Sequence, residues 1–313
     1  MHPFPSGMLA QAGGSILRPQ DVFAASVYTG TGSDFPVANG VDLASRGGLI
    51  WEKSRNNAYE HILVDSVRGN SKFLRSNSTA AEGSGGGYTF GASGYTSPAV
   101  NSGAGVTMSG LAFARRPGFF DIVTWIGDGV AGRQIPHGLG VAVGMVSVKR
   151  LDTTSNWTTW HRSLAVGATV FLNQPTASGV YGGSEIITAD GSSFTVGAGS
   201  NNNAAGGRYV AYIWAHNPDP SGIIQCGSYA SNAETVTLGW KPQLVLRKRA
   251  NVSENWDMFD AARGFAFTLQ PNTPNGEVAA TSMNGPVVPT STGFTSSGGG
   301  GGPYLWLAIR EPY

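Results

Sequence analysis

One phrase, an apolar strand running into a basic residue, occurs three times in this 313-residue chain and fixes its organisation before any other feature is considered. "GGLIWEKSR" (Gly47 to Arg55), "VGMVSVKRL" (Val143 to Leu151) and "PQLVLRKRA" (Pro242 to Ala250) align on Lys53, Lys149 and Lys248, spaced 96 and 99 residues apart. The match continues without a gap. Eight residues on stand His61, Trp157 and Trp256, and twelve on stand Asp65, His161 and Asp260. "HILVDSVRG" and "WDMFDAARG" share an Asp-x-x-Arg-Gly ending at Asp65, Arg68, Gly69 and Asp260, Arg263, Gly264. The middle copy, "WTTWHRSLA", lacks it. A repeat of this length marks one supersecondary unit used several times.

Further blocks recur in the same order. "GGGYTFGASG", "DGSSFTVGAG" and "TSTGFTSSGG" read as turn, aromatic–threonine pair, glycine-rich turn. They lead into "GLAFARRPG", "AYIWAHNPD" and "YLWLAIREPY", aligned on Pro117, Pro218 and Pro312 at the strand exits, where a missing N–H does no harm. The chain divides into an N-terminal arm (1–20) and three modules at 21–118, 119–220 and 221–313. The third stops where the others would run into the next opening strand. That predicts closure around a pseudo-three-fold axis, with Asp21 near Tyr313 and termini less than about 30 Å apart for modules of this size.

Within each module short apolar runs alternate with Gly, Pro, Asn and Ser clusters. With 46 glycines, 17 prolines and 12% charged residues, this favours many short strands joined by turns. The expected fold is all-β: three tandem β-sandwich (jelly-roll-like) modules with few short helices. "YVAYIWA" and "YLWLAI" are too continuous for one-sided strands and are read as covered on both faces. The lysine phrase reads as one arm of a hairpin, with Lys53, Lys149 and Lys248 opposite His61, Trp157 and Trp256. Directly opposed side chains touch, so each lysine is expected to clasp the ring by a cation–π contact; a ligand contact is the alternative. Glu52, Val148 and Arg247 vary in charge at one repeat position and are expected to distinguish the faces of the three modules.

Signals for chemistry are weak. His2, His61, His137, His161 and His216 form no H-E-x-x-H or close His-x-His pattern, and the single cysteine, Cys226, excludes a cysteine-based zinc site, so no metal is expected. His137 in "IPHGLG" reads as a turn residue, and His161 as a variant of the Asp65/Asp260 slot. There is no G-x-S-x-G elbow and no calcium loop, and the run Gly298–Gly302 precedes a strand without a following Lys-Ser or Lys-Thr. No catalytic residue and no cofactor are therefore assigned. Tyr88, Tyr95, Tyr181, Asn201, Asn202, Asn203 and Tyr229 read as loop aromatics and amides, candidate contacts for a glycan or a protein surface. A net charge of +1 gives no nucleic-acid footprint, no apolar stretch is long enough for a membrane span, and "MHPFPSGMLAQAGG" lacks the pattern of a signal peptide. A soluble, cytoplasmically made protein without disulfides is expected, with Cys226 buried and inert.

These phrases resemble a family of tailed-phage virion proteins described as tail-fibre-like or of unknown function. Its signature, "VYTGNG…NGVDLA…GGLVWIKNR…HILVDTVRG…LQSN", is similar to "VYTGTGSDFPVANGVDLASRGGLIWEKSRNNAYEHILVDSVRGNSKFLRSN" (residues 27–77). Later elements look like "PGFFDIVTWIGDG" and "IPHGLGVAVGMVSVKR", and the resemblance extends over the chain after the arm. It implies a non-enzymatic virion component, assembled in the host cytoplasm. Three similar faces on one chain suit a capsid decoration (cement) protein at three-fold or quasi-three-fold positions, clamping the major capsid protein. The other implied reading is a tail-fibre or receptor-binding protein that recognises host surface glycans.

Overall fold

The computed structural model describes residues 17–182, 186–230, 234–280, 285–297 and 300–313. Most of the N-terminal arm, and Gly298 and Gly299 of the glycine run, lie outside the described residues. The chain is all-β, 45% strand and 3% helix. Helix is confined to single turns such as Pro19–Asp21 and Leu43–Arg46, the latter capped by the Asp42 side chain accepting from the Ser45 N–H.

Each sheet draws its strands from one of the three segments, and the strand orders correspond. In the first segment the large sheet runs Phe23–Thr29, Thr107–Ala114, Gly48–Ser54, Ile62–Asp65, Lys72–Leu74, Gly83–Ser84. In the second it runs Phe120–Ile126, Arg208–Ala215, Val143–Arg150, Thr158–His161, Val170–Phe171. In the third it runs Ile224–Tyr229, Tyr304–Arg310, Pro242–Arg249, Asp257–Asp260. All pairs are antiparallel, and each opening strand pairs with the closing strand of its own segment: Phe23 with Phe113, Phe120 with Trp214, Ile224 with Ile309. Each segment thus completes its own sheet, and among the described residues no sheet crosses a segment boundary.

A three-stranded sheet accompanies each large one. Its central strand is Gly94–Ser97, Ser193–Val196 or Gly293–Ser296. The recurring aromatic–threonine pair is therefore Tyr95-Thr96, Phe194-Thr195 and Phe294-Thr295. The sequence alignment placed the first of these seven residues too early, because the first segment has "YT" twice. Gly94 and Gly293 hold the same tight approach, since a Cβ at either would overlap the carbonyl oxygen of Val37 or Val236.

The strands of the large sheets are covered on both faces, as "YVAYIWA" and "YLWLAI" led one to expect. Every residue of Gly48–Ser54 is buried, as is all but the last of Tyr304–Arg310. In the third segment the alternation sorts them. Leu244, Leu246, Leu305, Leu307 and Ile309 join a core shared by all three segments. Val245, Tyr304, Trp306 and Ala308 join a separate core with Val236, Val287 and Phe294 of the three-stranded sheet. The shared core holds Trp51, Leu111 and Phe113 from the first segment, Trp214 from the second, and Leu244 and Leu307 from the third. At about 1.5–3 kcal/mol for each large apolar side chain removed from water, this common core is the main force holding the segments together.

The start of the first segment lies beside the end of the third: the Gln20 side-chain amide donates to the Tyr313 backbone oxygen at 3.3 Å. The third proline falls out of register: Ser109, Val210 and Leu305 face the lysines, which puts Pro117 and Pro218 eight residues on but Pro312 only seven.

Candidate functional site

The repeat residues converge where one segment meets the next. The Trp157 indole N–H donates to the Arg75 carbonyl of the first segment at 2.9 Å, and the Trp256 N–H donates to the Phe171 carbonyl of the second at 2.9 Å. The His61 Nε2 lies 3.1 Å from the Gln270 carbonyl of the third. Its Nδ1 accepts from the Trp51 indole N–H at 3.0 Å, so the proton sits on Nε2 and points across the seam. Each ring thus reaches the carbonyl at the same repeat position of another segment, and the three contacts link first to third, second to first and third to second. An asparagine sets each ring strand from behind. Asn77, Asn173 and Asn272 accept the backbone N–H of His61, Trp157 and Trp256 at 3.1, 2.8 and 2.9 Å. These asparagines stand 24 residues after each lysine, a signal that extending the gapless alignment would have found.

The lysines are buried at 1% exposure or less, and their ammonium groups are held by main-chain carbonyls. Lys53 donates to the carbonyls of Ser54 (2.6 Å) and Asn57 (2.9 Å). Lys149 reaches Arg150 in its own segment and Thr79 in the first; Lys248 reaches Arg249 and, in the second segment, Pro175. The ladders end one residue short of each lysine and its ring, at Glu52 with Ile62, Val148 with Thr158 and Arg247 with Asp257. The cation–π contacts of the described residues, however, come from arginines. A carbonyl cage offers three-donor ammonium better partners than a ring face does. Burial pulls all three lysines down to about 8.

The Asp-x-x-Arg-Gly ending is a self-capped turn. Asp65 accepts from the backbone N–H of Val67 and Arg68 and from the Arg68 Nε, and Gly69 takes the positive φ of 104°. Asp260 and Arg263 repeat the pairing, with Arg263 Nε at 2.6 Å. His161 keeps the turn without the charge: its Nδ1 accepts from the Ser163 N–H at 3.2 Å, and its Nε2 donates to the Trp306 carbonyl of the third segment at 3.0 Å. Asp65 also accepts from the Tyr212 hydroxyl of the second segment at 2.9 Å, so this slot crosses a seam too. Burial lowers His61 to about 3 and His161 to about 4, so both are neutral imidazoles.

Most residues nominated as surface contacts are interior. Tyr88, Tyr95, Tyr229, Asn202 and Asn203 are 0–4% exposed, which corrects their reading as loop tips. Tyr95 and Tyr229 lie on strands, the others on connections packed inward, and polar ends are used inside: Tyr88 donates to Glu52, Tyr229 to Ser296, and Asn203 to Asp128. Tyr181 remains 36% exposed, and Asn201 is half-buried with its oxygen accepting from Ser155. Glu52, Val148 and Arg247 are also interior at 0–1% exposure, so they distinguish the cores of the segments and not their outer faces. His137 is a turn residue, its Nδ1 accepting from the Leu139 N–H. Cys226 is buried, and burial pushes its thiol up.

Among the described residues no group of three or more His, Cys, Asp or Glu could hold a metal ion, and no helix is long and apolar enough to cross a membrane. A cleft of about 410 Å³ opens at the seam of the first and second segments, with Val67 and Ile126 on its rim at 38% and 65% exposure and Lys72 and Arg208 beside them. No curated protein and no solved structure matches the chain. A family described as a domain of unknown function (DUF7483) matches residues 18–105 and 95–312. With nearly all of the described chain inside those two matches, the protein belongs to that family.

Proposed function

We propose that the protein is a non-enzymatic structural component of a tailed-phage virion, a capsid decoration protein that sits at three-fold or quasi-three-fold positions and clamps major capsid subunits. In this reading each segment is a β-sandwich module of one large and one three-stranded sheet, and the modules close around a pseudo-three-fold axis. The observation that carries it is the recurrence of one hydrogen bond at three seams: Trp157 to the Arg75 carbonyl, Trp256 to Phe171, His61 to Gln270. Three units, each bonded to the next through the same positions, are what a closed rotation requires. A chain built this way offers three similar surfaces to three neighbouring subunits. The virion assignment rests on the resemblance of residues 27–77 to phage virion proteins. The tail-fibre reading, with host glycan as ligand, loses Tyr88, Tyr95, Tyr229, Asn202 and Asn203 as contacts because they are buried.

The test is the number of copies per particle, by gel densitometry or a capsid map. Hundreds of copies, and particles that lose heat resistance without the protein, are expected of a decoration protein. A few to tens of copies, with free protein blocking adsorption, would move it to the tail.

A further inference from the structure

The position after each repeat lysine shows what the first segment lacks. Register pairs Arg150 with Tyr209, Arg249 with Tyr304, and Ser54 with Met108. In the second and third segments the pair is a stack, with the guanidinium 5.9 Å from the Tyr209 ring centroid and 5.8 Å from that of Tyr304. Each guanidinium is also tied to an acid, Arg150 to Asp152 at 3.0 Å and Arg249 to Glu254 at 2.8 Å. Serine and methionine are too short to fill that space. A cavity of about 280 Å³ opens there in the first segment, lined by Ser54, Met108, Glu52, Tyr59, Glu60 and Arg75, among others.

The lining suits what is missing. Glu60 is exposed, and its charge also acts on the buried Lys53 ammonium. Tyr59, 56% exposed, offers a ring at the mouth. Glu52 accepts from Tyr28, Tyr88 and Ser97 at 2.6–2.8 Å with Tyr95 beside it, so it forms the buried side of the cavity and leaves Glu60 as the acid open to a ligand. The one cation of the lining, Arg75, lies over the Phe73 ring at 4.7 Å. Residues 1–16 contain no lysine or arginine that could serve from within the chain.

We propose that this cavity is a socket for an arginine side chain supplied by a partner protein. A planar guanidinium would lie against Met108 and Tyr59 and donate to Glu60, as Arg249 lies on Tyr304 and donates to Glu254. The socket makes one of three otherwise similar modules different, and so gives a pseudo-symmetric molecule a single orientation on its partner. Only the identity of the partner rests on the virion reading.

The experiment is an NMR titration with N-acetyl-arginine amide, following the Met108 methyl and the Tyr59 ring. Saturable shifts are expected, weaker with the lysine analogue and absent with methyl glucoside. Glu60→Gln should weaken binding about tenfold, the loss of one charged hydrogen bond. Ser54→Arg with Met108→Tyr, the residues of the sibling segments, should abolish binding and raise the Tm. Should that double variant not fold, Glu60→Gln alone decides. No saturable shift, equal binding by Glu60→Gln, or tighter binding of the glucoside overturns the socket. Copy number per particle is read independently, so a failed socket and a failed virion assignment remain distinguishable.

Discussion

The first and third segments put opposite charges at the same buried position and surround them with the same hydroxyls. Glu52 accepts from Tyr28 and Ser97; Arg247 donates to Tyr229 and Ser296 and to Asp257 at 2.8 Å. Register makes Tyr28 and Tyr229 equivalent, with Trp125 between them in the second segment. There the slot is Val148, and Trp125 and Val196 replace tyrosine and serine. A hydroxyl can donate or accept, so one scaffold accommodates an acid or a base, while an apolar occupant needs apolar neighbours. Burial pushes the Glu52 carboxyl up, against the hydroxyls of Tyr28, Tyr88, Ser97 and Tyr95 that favour its ionised form. The lysine and asparagine positions stay constant, whereas the ring position and the Asp65/His161/Asp260 slot vary although they reach across the seams.

The comparison can be broken first at Arg247. Arg247→Ala leaves Asp257 without its charge partner at 1% exposure and should cost about 3–5 kcal/mol by urea denaturation. Transplanting the second segment's slot (Arg247→Val, Asp257→Thr, Tyr229→Trp, Ser296→Val) should recover most of that loss. If it recovers none, the slots are not interchangeable.

Acid is the next largest effect. His161 has Nδ1 occupied by an N–H donor and Nε2 bonded across the seam, so a second proton has no acceptor to meet. Arg162 and His216 beside it disfavour the cation further, as Lys53 and Arg263 do at His61. The unfolded imidazole titrates near 6.5 and the folded one at about 4. Between those values the unfolded chain holds a proton that the native state refuses. Stability is full above pH 6.5 and falls as pH drops toward 4, by on the order of 3 kcal/mol for this residue. His161→Gln should flatten that part of the pH profile; an unaltered profile would place the acid sensitivity elsewhere.

Smaller still is a single seam bond. Trp256→Phe removes the indole donor but leaves the Phe171 carbonyl its Gln174 N–H at 3.2 Å, and should cost about 1–1.5 kcal/mol with faster amide exchange along Thr158–His161 and Asp257–Asp260. Exchange unchanged in both strands would mean that the bond does not couple the segments. Lys248→Ala should lower the Tm by the least, about 1 kcal/mol, because lost carbonyl bonds are offset by relief of a buried ammonium. An unchanged melting curve would contradict the cage. The lysines also predict a rise in stability with pH from about 8 toward 10.5, where the unfolded chain keeps protons that the folded one has lost.

Much of this was legible in the sequence. The repeat, the lysine strand, the Asp-x-x-Arg-Gly turn and the doubly covered strands follow from spacing and periodicity. What was not legible is burial of polar side chains. Tyr88 and Asn203 sit in glycine-rich connections, and nothing local reveals that such a segment spends its hydroxyl or amide inside; Tyr229 ends a strand whose buried partner, Ser296, lies far along the chain. Glu52 and Arg247 mislead similarly, because a charge in a strand reads as an outward face until its buried partners, far along the chain, are known. The lysine cage was missed because carbonyl acceptors carry no sequence signature.

The account stands most directly on closure of the three segments. Val27, Thr124 and Ser228 are exposed and equivalent by register, each pairing with the residue that also faces a repeat lysine: Ser109, Val210 and Leu305. Spin labels placed on them two at a time, in a Cys226→Ala background, give three distances. Three equal distances, within the spread of the labels, are predicted for a closed pseudo-three-fold arrangement; two similar distances and a third clearly longer would contradict it.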